Sequence, residues 1–262
     1  LTSVKVPEAF GDPITIANLM THTPGFEDHV IGLFGLTADS MRPLSEILND
    51  EMPLRVRPPG KYASYSNHGV GIAGLIIEEV SGQSWPEYVD EHVLKPLDMN
   101  MTSMLQPLPE RLMPYMSKGY RYDAGKYLAK DFEYVPLAPA GGTSATASDM
   151  TRFMQMFLNK GELEGTRILG EATAEKMQTT LFRPAPTLNG AMHGLYELSS
   201  HGQLIIGHGG DTIWFHSQLS LMPEVGIGIF ISTNSASGPA VRAAIIDALL
   251  NRYYPAPAPI DE

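Results

Sequence analysis

The 262 residues carry 29 acidic against 18 basic side chains, a formal charge of −11, with 43% hydrophobic and 18% charged residues. That mixture supplies apolar surface enough to fold, and an acidic excess with no Lys/Arg-rich run argues against a nucleic-acid partner. The length suits one domain or two closely packed ones, and the absence of cysteine excludes disulfides, thiolate catalysis and Cys-ligated zinc while leaving the compartment open.

Leu1 to Pro7 has neither a basic start followed by an apolar run nor a small-residue cleavage site, so it does not read as a signal peptide. With a leader ahead of it, the expected address is periplasmic or otherwise extracytoplasmic. No apolar stretch approaches the roughly 20 residues that span a bilayer. Thr15 reads as the cap of a helix through Ile16, Leu19 and Met20 that stops before Pro24-Gly25. Arg57-Pro58-Pro59-Gly60 is a turn. From Asn67, the apolar residues Val70, Ile72, Leu75, Ile76 and Val80 run to Gly82, the pattern of a largely buried helix closed by glycine. Tyr65-Ser66-Asn67 therefore stands at a helix start.

Pro136 to Gly142 reads as a loop. A second helix follows Ser148 or Asp149, with Phe153, Met156 and Phe157 on one face and Gly161 as its stop. After about residue 190 the texture changes to short β-type runs, Gln203 to Gly207, Ile213 to Met222 and Gly226 to Thr233, separated by Gly-Gly-Asp and Pro-Glu-Val turns. The last element, Gly238 to Tyr254, is a helix expected to pack Val241, Ala244, Ile245, Ala248 and Leu249 on that sheet. A Pro/Ala tail follows from Pro255, and there is no internal repeat. The predicted fold is α+β, an antiparallel sheet flanked by helices beside a mainly helical region, with 1–185 mainly helical and 186–262 holding the sheet and last helix as one catalytic unit.

Two motifs carry chemistry, each at the end of a regular element, where rigid backbone can hold them opposite each other across a cleft. Tyr65 is the candidate base, since a tyrosine whose pKa is lowered by a nearby cation accepts a nucleophile's proton. Asn67 can offer its amide to a substrate carbonyl or to a catalytic lysine. At His208-Gly209-Gly210, Gly209 and Gly210 let a substrate approach the backbone closely, His208 can supply positive charge, and the Asp211 N–H can donate to an oxyanion. Alone, each signal is weak, because Tyr-x-Asn triplets and Gly-Gly turns are common. His22 reads as structural, beside the Pro24-Gly25 turn. Trp214 lines the cleft or packs in the sheet, and both remain open. The fourteen methionines read as core fillers, and no His-Glu-x-x-His or comparable spacing suggests a metal.

Four segments in order are similar to the β-lactamase-related serine hydrolases, the family of class C β-lactamases, DD-peptidases, D-aminopeptidases and family VIII carboxylesterases. Ile14 to Phe26, with Thr21-His22-Thr23-Pro24-Gly25, resembles the segment ending in His-Thr-Ser-Gly. Pro59-Gly60 through Tyr65-Ser66-Asn67 to Gly74 resembles the Tyr-x-Asn region, and Pro139 to Thr146 with Asp149-Met150 the Gly-Gly loop and following helix. Gly207-His208-Gly209-Gly210 resembles the His-x-Gly version of Lys-Thr-Gly. The resemblance implies the serine β-lactamase and DD-peptidase fold, acylation of a serine with Tyr65 and a lysine exchanging protons, and no metal or organic cofactor. Histidine at 208 moves the expectation from strong β-lactamase action toward ester or peptide hydrolysis.

The departure is the nucleophile. None of the lysines has a serine three residues before it; Thr2 with Lys5 and Thr173 with Lys176 come nearest, in the wrong context, and Ser3-Val4-Lys5 has the wrong spacing. Gly-x-Ser-x-Gly is also absent. The expectation is a truncated chain whose missing N-terminal part carries the nucleophile helix and first strands. The alternative is a ligand-binding pseudoenzyme or a partner-dependent subunit. The expected partner is a small-molecule or peptide substrate, and an exposed sheet edge is expected to favour a homo-oligomer or the missing segment.

Overall fold

A computed structural model describes residues 1–256. The first helix, α1 (Ile16–Met20), begins at Thr15 in a reciprocal cap: the Asn18 N–H donates to Thr15 Oγ1 at 3.2 Å and the Thr15 N–H to Asn18 Oδ1 at 2.9 Å. It is followed by α2 (Leu44–Asp50) and α3 (Asn67–Ser81). Ser66 caps α3 by accepting the Gly69 N–H at 3.0 Å, and Gly82 closes it at φ 72°, as the sequence predicts. Leu19, Ile47, Leu48, Ile72, Leu75 and Leu137 form one core among these helices. The helix is buried mainly in its first half; Val80 is 83% exposed.

After α4 (Trp85–Val89), the chain forms a hairpin of β1 (Gly119–Asp123) and β2 (Lys126–Lys130). The Pro136 to Gly142 stretch is not all loop, because α5 (Ala138–Gly141) packs on α3. Gly74 makes this possible, since a Cβ there would lie 2.3 Å from Pro139 Cγ. The next helix, α6 (Ala147–Leu158), starts before Ser148, capped by the Thr146 hydroxyl. Asp149 is released from capping and reaches back to the Met101 N–H at 2.9 Å and the Thr102 hydroxyl at 2.7 Å. A small hairpin of β3 (Glu162–Leu163) and β4 (Thr166–Arg167) and helix α7 (Glu171–Met177) lead to the main sheet.

That sheet is antiparallel, in the order β5 (Tyr196–Glu197), β6 (Ile206–Asp211), β7 (His216–Met222) and β8 (Ile227–Thr233). The two faces divide by alternation: Ile206, Leu219 and Leu221 join Met154, Met156 and Phe157 of α6 in a second core, whereas Ile205 and Met222 pack with Leu250 of α8 (Gly238–Tyr253). The expected helix-flanked antiparallel sheet is present, an α+β arrangement, and several of the methionines fill its cores.

Three expectations need correcting. The strand placed at Gln203 to Gly207 runs from Ile206 through the His-Gly-Gly segment to Asp211, each residue in register with β7 from Leu221 to His216. The turn is Thr212 to Phe215, closed by the Thr212 N–H on the Phe215 carbonyl at 2.9 Å. Pairing with β7 overrides the poor strand propensity of glycine. The β1–β2 hairpin lies inside the region read as mainly helical. Finally, Val241, Ala244, Ile245 and Ala248 face away from the sheet and are exposed, while Arg242, Ile246, Leu249 and Leu250 face inward. The apolar residues of α8 occur on both sides, so periodicity alone did not select the buried one. The Pro/Ala run beyond residue 256 lies outside the described residues.

Candidate active site

Tyr65 stands one residue before the cap of α3, and its ring is held from below by His22. The two ring centroids are 4.3 Å apart with planes inclined by 25°. The end of α1 delivers that imidazole: His22 adopts φ 52°, its carbonyl accepts the Ser64 N–H at 2.8 Å, and its Nδ1 accepts the Ser66 N–H at 3.1 Å. An acceptor Nδ1 belongs to a neutral ring. Burial, helped by nearby His208, pushes the His22 pKa down to about 4. His22 is thus structural, but its nearest consequence is the placement of Tyr65 rather than of the Pro24-Gly25 turn.

Tyr196 of β5 stacks on the other side, 5.7 Å from His22 and 5.3 Å from His208, and the His208 and Tyr65 centroids are 6.2 Å apart. His208 Nδ1 lies against the Gly209 carbonyl and so carries its hydrogen. Burial, then the negative charges of Asp211 and Asp28, raise the Tyr65 pKa above that of free tyrosine. Within these residues Tyr65 is a neutral phenol. Tyr196 is pushed up to about 12, chiefly by burial.

Because β5 pairs only with Ile206 and Gly207, the edge of β6 from His208 to Asp211 extends beyond its neighbour. Burial works against ionisation of Asp211, but Arg242 at 2.8 Å and His216 Nδ1 at 2.6 Å hold its carboxyl below the usual aspartate range. Arg242 also donates to the carbonyls of Gly210 at 3.0 Å and Ser217 at 2.7 Å, tying the ends of β6 and β7 together. At Gly209 a Cβ would meet Gln218 Oε1 at 3.2 Å and Arg242 at 3.5 Å, so that glycine also makes room for the arginine.

A cavity of about 950 Å³ opens between these elements. Tyr65, Asn67, His208, Gly209, Gly210 and Asp211 all line it, together with the Ala140 to Thr146 segment that runs from the end of α5 to the cap of α6. Trp214 does not; its Cβ packs on Gly119 and its ring lies 5.6 Å from Lys130 Nζ, while Phe215 lines the cavity instead. Sequence reasoning missed Gln106, which exchanges two hydrogen bonds with the Val135 backbone, and Glu133. The Glu133 carboxylate accepts from the Thr212 hydroxyl at 2.7 Å and from the N–H groups of Ile213 and Trp214 at 2.8 and 3.1 Å. No motif marked either residue. Among the described residues no group of three or more His, Asp or Glu side chains is placed to hold a metal ion.

The family model described as Beta-lactamase matches residues 5–252. "Penicillin-binding protein 4" of Amycolatopsis lactamdurans is 27% identical over 228 residues, 84% of this chain and 59% of that protein. "Protein flp" of Staphylococcus aureus (strain MW2) is 24% identical over 232 residues, 85% of this chain and 43% of that protein. The chain spans about half the length of the curated relatives it matches. Among solved structures, the octameric penicillin-binding protein homologue from Pyrococcus abyssi superimposes with a TM-score of 0.76 at 26% identity, covering 97% of this chain and 59% of that one.

Proposed function

The chain belongs to the β-lactamase family, and from that premise we propose that it forms the tyrosine and substrate-cleft side of a serine hydrolase working through an acyl-enzyme on ester, D-amino-acid peptide or β-lactam substrates. One observation carries the reading: motifs more than 140 positions apart, Tyr65 with Asn67 and His208 with Asp211, line the same cavity. The regions 1–185 and 186–262 act as one catalytic unit, each contributing one of those motifs.

The serine and its lysine come from a segment outside these 262 residues, which hold no Ser-x-x-Lys. Tyr65 becomes a base only when that lysine's ammonium lies beside it, because a cation stabilises the phenolate that burial and Asp211 disfavour. The tyrosine takes the serine proton through the lysine as Oγ attacks the substrate carbonyl, and returns a proton to the leaving group. The Asp211 N–H, at the β6 edge, donates to the oxyanion, and Asn67 orients the substrate carbonyl or the lysine. Water then hydrolyses the ester.

A second reading, a ligand-binding relative without the chemistry, is favoured by the missing Ser-x-x-Lys and the raised Tyr65 pKa. Incubation with a fluorophosphonate or a penicillin followed by intact-mass measurement separates the two. On a protein heavier than 28.6 kDa that carries the further segment, one serine adduct supports the hydrolase and the absence of an adduct supports the binding role.

A further inference from the structure

We propose that residues 28–34 form a lid on one wall of the cavity, and that the His29–His68 pair opens it in mild acid. The lid is a property of these residues; only its use, to regulate the access of a substrate, rests on the hydrolase reading.

The segment is fastened at its two ends. Before it, the Glu27 N–H donates to the Leu54 carbonyl at 2.9 Å; after it, Gly35 and Tyr134 exchange backbone hydrogen bonds of 2.8 and 3.1 Å. Between those points the backbone makes one hydrogen bond among the described residues, from the Leu33 N–H to the Val30 carbonyl at 3.4 Å, within the segment itself. Leu33 and Phe34 line the cavity, and Leu33 also packs at the margin of the core of α1, α2 and α3. Val30 and Ile31 point into water, 64% and 80% exposed. So few ties make local opening of 28–34 cheaper than loss of the helices it rests on.

The segment covers His68, in the first turn of α3. His68 is 2% exposed, its Nε2 has no hydrogen-bond partner, and its ring centroid lies 5.3 Å from that of partly buried His29. The other titratable groups near it are Asp28, on the segment, and Glu51, at the end of α2; the first turn of α3 carries no acidic residue. Glu51 is paired with Arg42 at 3.6 Å, and its carboxylate occupies the space that a Cβ on Gly32 would need. A proton on His68 is therefore buried beside a second imidazole.

Burial first, and then His29, bring the His68 pKa down to about 4, against the pull of Asp28 and of a backbone hydrogen bond to Glu51. With the segment lifted, water reaches Nε2 and the ring returns toward its ordinary 6.5. The open form thus binds the proton more tightly, and acid favours it. The span from 6.5 to about 4 moves the opening equilibrium roughly 300-fold toward the open form once the pH has fallen through it. A lid held shut by less than that factor at neutral pH is mostly open at the acid end, and Leu33 and Phe34 then leave the cavity wall.

The test is an NMR titration of the 262-residue chain from neutral pH down to about 4, following backbone amides and the histidine rings. The amides of Val30 to Phe34 are expected to shift together, with a midpoint between 6.5 and 4 shared by the His68 ring, while those of Ile72 and Leu75 in the core of α3 hold their positions. H68N is expected to abolish the transition, and H29N, which removes the like charge, to lower the open fraction several-fold at a given pH. The inference is overturned if the segment stays fixed to the acid end, if it moves only as the Ile72 and Leu75 signals are lost, or if it moves in H68N as in the unaltered chain. The titration of the unaltered chain, with H29N beside it, decides the matter even where H68N fails to fold. Because no acylation is involved, a lid that stays shut on a protein that forms a serine adduct leaves the hydrolase standing, and an acid-opened lid without an adduct leaves the inference standing.

Discussion

The His22 imidazole lies against the Tyr65 phenol at 4.3 Å between centroids while its Nδ1 accepts the N–H of the next residue, Ser66. One side chain thereby sets both the ring plane of the candidate base and the backbone that enters α3. The contact joins the end of α1 to the start of α3 across 43 positions of sequence; His22 is 4% exposed, whereas Tyr65 keeps 43% exposure.

Replacing His22 by alanine leaves the buried Ser66 N–H without an acceptor and removes the stack. The expected loss is about 2–4 kcal/mol, the sum of an unsatisfied donor and an aromatic pair. Urea denaturation of H22A measures it, and near-UV circular dichroism is expected to show a weakened tyrosine signal. A change below about 1 kcal/mol would place the Ser66 N–H on another acceptor.

Acid is expected to destabilise the fold well before its carboxylates titrate. Burial first, and then a neighbouring histidine, lowers both His22 and His68 to about 4, from 6.5 in the unfolded chain. The unfolded chain thus takes up two protons that the folded chain refuses. Stability is full above pH 6.5 and falls as the pH drops from 6.5 to 4, on the order of 3 kcal/mol for each histidine. Thermal unfolding across that range should show the decline, and H68N, which removes a buried ring whose Nε2 has no partner, should flatten it.

Asp149 is 7% exposed and holds the Met101 N–H and the Thr102 hydroxyl. D149A leaves both donors unpaired and is expected to cost about 2–4 kcal/mol in urea titrations, with D149N recovering part of the loss. Because Met101 lines the cavity, the same variant should weaken ligand binding.

Val241 at 44% and Ile245 at 41% exposure form the outward face of α8, with Ala244 and Ala248 exposed beside them. Self-association of the 262-residue chain through this face is expected in light scattering, because an apolar helix face left in water favours contact with a second copy. The double variant V241K/I245K should be monomeric and lose less than about 1 kcal/mol of stability. A monomeric parent chain would end this expectation.

Local chemistry made much of the fold legible in advance. The Thr15 cap, the helix start at Tyr65-Ser66-Asn67, the Gly82 stop of α3 and the β8 run follow from interactions within a few residues and appear where the sequence places them, while β7 begins at His216 rather than Ile213, whose neighbours form the turn. Misplaced elements share a different cause. The β6 strand was read too early because glycine is a poor strand former in isolation, yet β7 pairs it through Asp211. The β1–β2 hairpin had a signal in the alternation of Gly119 to Asp123 and the Ala124-Gly125 turn, which the helical reading of the region obscured.

The site divides in the same way. Tyr65, Asn67 and the His208 to Asp211 segment were identified from motifs carried on single short stretches of chain, and the order of those stretches was enough to point to the family. The roles of His22, Tyr196, Arg242 and Glu133 depend on contacts made across 31 to 174 positions, such as Arg242 on Asp211 or Tyr196 against His22. The sequence by itself determined the helix caps, the strand texture and the motif residues, because these rest on neighbours in the chain. Only the tertiary structure decided which face of α8 is buried and that Trp214 yields its place in the cavity to Phe215, because packing is summed over residues that only the fold brings together.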